Sequence, residues 1–195
     1  RSNASIIGPK VVNWERPNEL LDVGYGMDKL GHPISRIEKG ELDQEQYDAV
    51  SEVFVVSTTA TLVRADLFVA LGGFDEAMGM VGEDVDLCWR AKLAGAKVLV
   101  VPLAIARHRE ELGSYQVGDS KMLNRERHRV RTVLSNYGPL HSFLVIPQAF
   151  LFSILQGLSG LLAGNFSRLK IFFRAWGWNF LRLKSLFERR KRIKD

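Results

Sequence analysis

The apolar positions of this chain fall into several different rhythms. Half of residues 5–12 are β-branched, and the stretch predicts a short strand, which Gly8-Pro9 interrupts and Lys10-Val11-Val12 resumes. From 14 to 46 the pattern breaks down into Gly, Pro, Asp and Glu. Turn signals stand at Gly24, Gly26, Gly31 and Pro33, so this stretch reads as loops and short hairpins without a recognisable site. Residues 53–56 predict a strand and 64–71 a short helix stopped by Gly72-Gly73. A second helix begins near Glu83 or Asp84, runs to Ala94 and ends at Gly95, which suits the left-handed position after a helix. Residues 97–101 then predict a buried strand stopped by Pro102. The strand–helix–strand rhythm makes an α/β layer the economical fold class.

A different pattern takes over further along. Residues 142–167 contain no charged side chain, and most of 143–163 is apolar, long enough to cross a bilayer at about 20 residues. Arg125, Arg127, Arg129 and Arg131 precede this run and Arg168, Lys170, Arg174, Arg182 and Lys184 follow it, so the one-sided positive flank of a single crossing is missing. Pro147, Gly157, Gly160 and Gly164 are expected to break the run into shorter pieces. An in-plane or re-entrant helical hairpin therefore fits better than a span. Beyond it, Trp176, Trp178, Arg174 and Arg182 lie in a mixture of rings and cations suited to headgroup depth.

Charge divides the chain in the same place. Residues 1–120 carry 12 Lys and Arg against 19 Asp and Glu, whereas 121–195 carry 15 against 3, so the overall +5 conceals an acidic part and a basic part. A basic second part points to phosphates as partners. Nucleic acid is the weaker choice, because the uncharged run has no role in binding it. A single cysteine, Cys88, excludes a disulfide framework and a cysteine-rich zinc site, and fits a reducing compartment.

Candidate chemistry concentrates at Gly82-Glu83-Asp84-Val85-Asp86-Leu87-Cys88-Trp89-Arg90, where three carboxylates crowd the first turn of a helix. Such anions complement the helix dipole and cap free amides, or one of them serves as a general base at a loop-to-helix junction. Residue types alone leave both readings open.

Several further pieces follow in a fixed order: Ala60-Thr61-Leu62-Val63-Arg64, Leu71-Gly72-Gly73-Phe74-Asp75-Glu76, the Glu83–Arg90 run, Ala94-Gly95-Ala96-Lys97-Val98, Val101-Pro102 and His108. Together they resemble the inverting family 2 glycosyltransferases of GT-A type over residues 5–135, and the later apolar and basic segment resembles the tails of membrane-associated bacterial members. The resemblance implies an α/β chain forming the C-terminal, acceptor-side half of a GT-A (nucleotide-diphospho-sugar transferase, Rossmann-like) fold over 1–135. An α-helical membrane-associated segment would occupy 136–195.

It also implies roles. Asp84 would be the base that deprotonates the acceptor hydroxyl, and Glu83 would bind the acceptor or orient the base. His108 would bind metal or diphosphate, with a divalent cation (Mg or Mn) as Lewis acid. The implied partners are a nucleotide-diphosphate sugar, a glycan or lipid-linked cell-wall acceptor, and membrane lipids, at the cytoplasmic face of the cell membrane.

A helix of roughly ten steps advances about 15 Å and roughly five extended steps return the same distance, so Asp84 and His108 are able to share one pocket. Asp75 and Glu76 are candidates for lining the acceptor site, with solvated loop carboxylates as the alternative. Trp89 either stacks on a sugar or belongs to the core. Asp84-Val85-Asp86 imitates a metal-binding Asp-x-Asp, but it opens a helix instead of ending an earlier strand, so Asp86 is expected to be structural. Nothing before residue 5 supplies a donor-binding half, which makes a fragment the expectation. The competing reading is a noncatalytic membrane-tethering or lipid-binding module.

Overall fold

A computed structural model describes residues 4–109 and 119–194. The described residues divide into two compact units: 4–28, 33–76 and 83–109 form an α/β layer, and 29–32, 77–82 and 119–194 form a helical unit. The helix Asp119–Asn136 thus packs with the later helices, and the packing boundary lies ahead of the expected one at 135.

In the first unit β1 (Ala4–Asn13) runs parallel to β7 (Lys97–His108) at the centre of a mixed sheet. β6 (Leu62–Val63) and β2 (Leu20–Asp22) pair antiparallel with β1, and β5 (Ser51–Glu52) pairs antiparallel with β7. Tyr25–Met27 (β3) and Pro33–Ser35 (β4) make a small separate hairpin.

Two expectations are corrected here. β1 is one continuous strand through Gly8-Pro9, and β7 continues through Pro102 to His108. The reason is shared: the register passes from Pro9↔Val101 directly to Lys10↔Ile105, so Pro102, Leu103 and Ala104 bulge out of the ladder where no N–H is needed. The strand expected over 53–56 does not form: the chain bends at Phe54, the regular pairing falls on Ser51–Glu52, and Tyr25 and Val55 form an isolated bridge.

α1 (Ala65–Ala70) and α2 (Glu83–Leu93) both end on glycines at positive φ, Gly72 at 74° and Gly95 at 77°. In each, the next two N–H groups turn back on the last turn: Gly72 to Val69 and Gly73 to Phe68, Gly95 to Lys92 and Ala96 to Ala91. Val85, Leu87, Cys88 and Ala91 of α2 join Ile6, Val55, Val98 and Val100 in the main core.

The helical unit consists of α3 (Asp119–Asn136), α4 (Pro139–Leu162), α5 (Phe166–Phe180) and α6 (Leu183–Lys194). α4 is a single helix through Pro147, Gly157 and Gly160, so those three expected breaks do not occur, whereas the one expected at Gly164 does. Pro147 is accommodated within it, and Gly157 and Gly160 form a seam against α5. A Cβ on Gly160 would lie 2.8 Å from Arg168 Cβ, and one on Gly157 would lie 3.3 Å from Leu169 Cα. A helical hairpin does form, but between α4 and α5, turning at Gly164 (φ 74°). α4 has the length and composition of a membrane-crossing helix, and its most apolar stretch is only 28% buried.

Candidate active site

The first turn of α2 carries Glu83, Asp84 and Asp86, and their surroundings separate their roles. Asp86 is fully buried. Its Oδ2 accepts from Nε and Nη2 of Arg90 at 2.9 and 2.8 Å. Arg90 in turn donates from Nη1 to the Leu71 carbonyl and from Nη2 to the Gly73 carbonyl, both at 2.8 Å. The pair therefore fixes the turn that follows α1, and the structural role expected of Asp86 agrees with this geometry.

Asp84 faces the other way. Its Oδ1 accepts from the Val85 N–H at 2.8 Å, and its carboxyl is pushed up to about 6, first by burial and then by the negative charges of Glu83 and Asp22. Asp22, at the end of β2, was not singled out in the sequence. It is buried, accepts from the Gly24 and Ser57 N–H groups, and is itself pushed up to about 6 by burial. The short Asp22-Val23-Gly24 turn is the one local signal that marked it. Gly24 is required there: at φ 86° a Cβ would meet Val53 Cγ1 at 2.7 Å and Val100 Cγ2 at 2.8 Å.

Glu83 completes an acidic cluster. Thr58 Oγ1 donates to its Oε1 at 2.8 Å, while its Oε2 is buried without a protein partner among the described residues. His108 is brought to the same end of the sheet. Asp22 pairs with Val11, Val11 pairs with Ala106, and His108 stands two positions further along β7, so the pleat gives Asp22 and His108 a common face. Their Cα atoms are then about 12 Å apart. Arg107 belongs to the opposite face of β7, and Arg109, just past the strand, stacks over Trp14 at 5.7 Å.

Other expected site residues are placed less favourably. Trp89 is 6% exposed and packs edge-to-face on Phe54 at 5.6 Å, which leaves no open ring for a sugar and makes it a core residue. Asp75 is half-buried and Glu76 exposed, in the loop just beyond the turn that Arg90 holds. In the helical unit, Trp176 packs inward against Phe150 at 5.0 Å. Phe166, Phe173, Phe180 and Phe187 are exposed rings of its last two helices. Among the described residues no three His, Cys, Asp or Glu side chains converge as metal ligands, so His108 lacks a ready-made ligand set around it.

The family profile described as glycosyltransferase like family 2 matches residues 5–130, nearly the whole α/β layer and much of α3. This chain belongs to that family. The glycosyltransferase chain is 40% identical over 83 residues to the pre-mycofactocin glycosyltransferase of Mycobacterium tuberculosis, covering 40% of this chain and 17% of that protein. Against the rhamnosyltransferase WbbL of Escherichia coli strain K12 it is 36% identical over 72 residues, covering 37% of this chain and 27% of that protein. The glycosyltransferase chain thus spans under a third of each of these relatives.

Proposed function

We propose that this family 2 chain forms the acceptor side of an inverting sugar transfer, from a nucleotide-diphosphate sugar to a lipid-linked or cell-wall glycan, with Asp84 as the base. The observation that carries the reading is the carboxyl of Asp84, pushed up to about 6 by burial beside Glu83 and Asp22 at the head of α2. A carboxylate with that affinity for protons is a better acceptor of a hydroxyl proton than an exposed aspartate. In the reaction the acceptor oxygen attacks the anomeric carbon, its proton passes to Asp84, and the carbon–oxygen bond to the departing diphosphate breaks with its electron pair on the leaving group. Glu83 is the acceptor-orienting group, held through Thr58, and Asp22 raises the basicity of Asp84. Asp75 and Glu76 supply the rim. His108 offers an imidazole to the diphosphate or to a divalent cation that neutralises it.

The helical unit is proposed to lie in the cytoplasmic face of the cell membrane. Support comes from its apolar surface: Phe143, Leu151, Leu155 and Leu162 are exposed, while Ser142, Ser153 and Asn179 are among the buried residues. The test is Asp84→Asn in the full-length context. Transfer is expected to fall by about 10²–10⁴ with donor binding retained, and unchanged turnover would remove Asp84 from the reaction.

A further inference from the structure

A cleft of about 270 Å³ opens between the first half of α3 and the first half of α5. Arg127, Lys170 and Arg174 line it, together with Asn124 and the hydroxyl-bearing Ser120. Its carboxylate, Asp119, accepts from Ser167 Oγ at 2.8 Å. Among the described residues, none of the three cations lies within ion-pair distance of an acid. Arg127 reaches only Asn124 Oδ1, at 3.5 Å, and its Nε is buried without a partner.

Behind the cleft more cations accumulate. The guanidinium groups of Arg182, Arg131 and Arg127 surround the single indole of Trp178, at 4.3, 5.6 and 5.8 Å from its centre. Cation–π attraction offsets part of the cost of crowding like charges, but it supplies no counter-ion. The repulsion is felt at Arg127, whose affinity for its proton is lowered by burial and by the charges of Arg174 and Arg182. Three other buried cations are neutralised: Lys10 by Asp43 and Asp48, Arg90 by Asp86, Arg129 by Glu126. A phosphate placed in the cleft would supply the counter-charge that this group lacks among the described residues.

We infer that the cleft lined by Arg127, Lys170 and Arg174 is a binding site for a phosphate or diphosphate ester. Guanidinium groups meet phosphate oxygens in paired hydrogen bonds, and the lysine and serine add single donors. The ester belongs to a lipid headgroup or to a soluble phosphate compound. Only the first source rests on the membrane reading above.

The experiment titrates the full chain with inorganic diphosphate at constant ionic strength, following tryptophan fluorescence, and measures flotation with vesicles of phosphatidylcholine and phosphatidylglycerol, with and without diphosphate. Lys170→Glu combined with Arg174→Glu is expected to weaken diphosphate binding by at least about tenfold. Lys184→Glu combined with Lys191→Glu, the same change of charge on exposed positions of α6, is expected to leave it within about twofold. Both pairs are exposed, and unchanged circular dichroism would show that they fold. Displacement from vesicles by diphosphate identifies a headgroup as the natural ester, and diphosphate binding without displacement identifies a soluble one. No diphosphate binding, or an equal loss in the two double variants, overturns the site. Failure of every protein to float, with diphosphate binding intact, refutes the membrane reading and leaves the site standing.

Discussion

In the α/β layer Ile6, Val55, Val98 and Val100 are inside, and buried charges come in neutralised sets, as with Asp86 and Arg90 or Lys10 and its two aspartates. In the helical unit Thr132, Ser135, Ser142, Ser153 and Asn179 are buried, whereas Leu140 and Leu162 are 73% and 91% exposed. The first arrangement is that of a surface facing water. The second suits the proposed contact with an apolar solvent, and some of the inward polar side chains bond one another, as Ser153 Oγ does with Arg129 and Glu126. The departure within the layer is equally instructive: among the described residues Asp22, Glu83 and Asp84 have no cation within ion-pair distance, and that exception to its own rule is the proposed site.

The largest expected effect strikes the rule of neutralised charge. Arg90→Met removes the guanidinium that neutralises buried Asp86 and releases the carbonyls of Leu71 and Gly73, so urea unfolding should show a loss of about 3–5 kcal/mol. Next comes the seam between α4 and α5. Gly160→Leu drives a side chain into Arg168 and is expected to cost about 3 kcal/mol by the same measurement, near the upper end for overpacking.

The acidic exception acts in the opposite direction. The Asp22 and Asp84 carboxyls titrate at about 6 when folded, above the ordinary 3.8 of the unfolded chain. Their contribution to stability is full below about pH 4 and is lost as the pH rises through about 6. Asp22→Asn should therefore raise thermal stability at neutral pH, by on the order of 2 kcal/mol, and do little near pH 4. Smallest of all is the effect of exchanging outward apolar residues. Phe143→Ser together with Leu155→Ser should change stability by less than about 0.5 kcal/mol each, yet release the chain from vesicles in a flotation assay. Strong destabilisation instead would place those side chains in a core.

Local signals were legible wherever one turn of chain decides the outcome. Gly72 and Gly95 announced the ends of α1 and α2, because a left-handed residue is needed after a helix and glycine adopts that conformation without strain. Pro102 misled because its tolerance is set by a distant partner: Pro9 lies at the same irregularity of the β1–β7 ladder. The glycines of α4 looked like breaks for the same reason, since a helix-interior glycine is stabilised by what packs on it, here Leu169 and Arg168. Asp84 stood out through its motif. Asp22 did not, because its importance comes from burial and from proximity to α2, which arise only when β2 joins the sheet.

The most direct test of the base at the head of α2 is the pH dependence of transfer in the full-length context. The rate should climb tenfold per pH unit and level off near 6, and Asp22→Asn, by removing a neighbouring negative charge, should move that bend to lower pH. A bend near 4, or one that Asp22→Asn leaves in place, would contradict it.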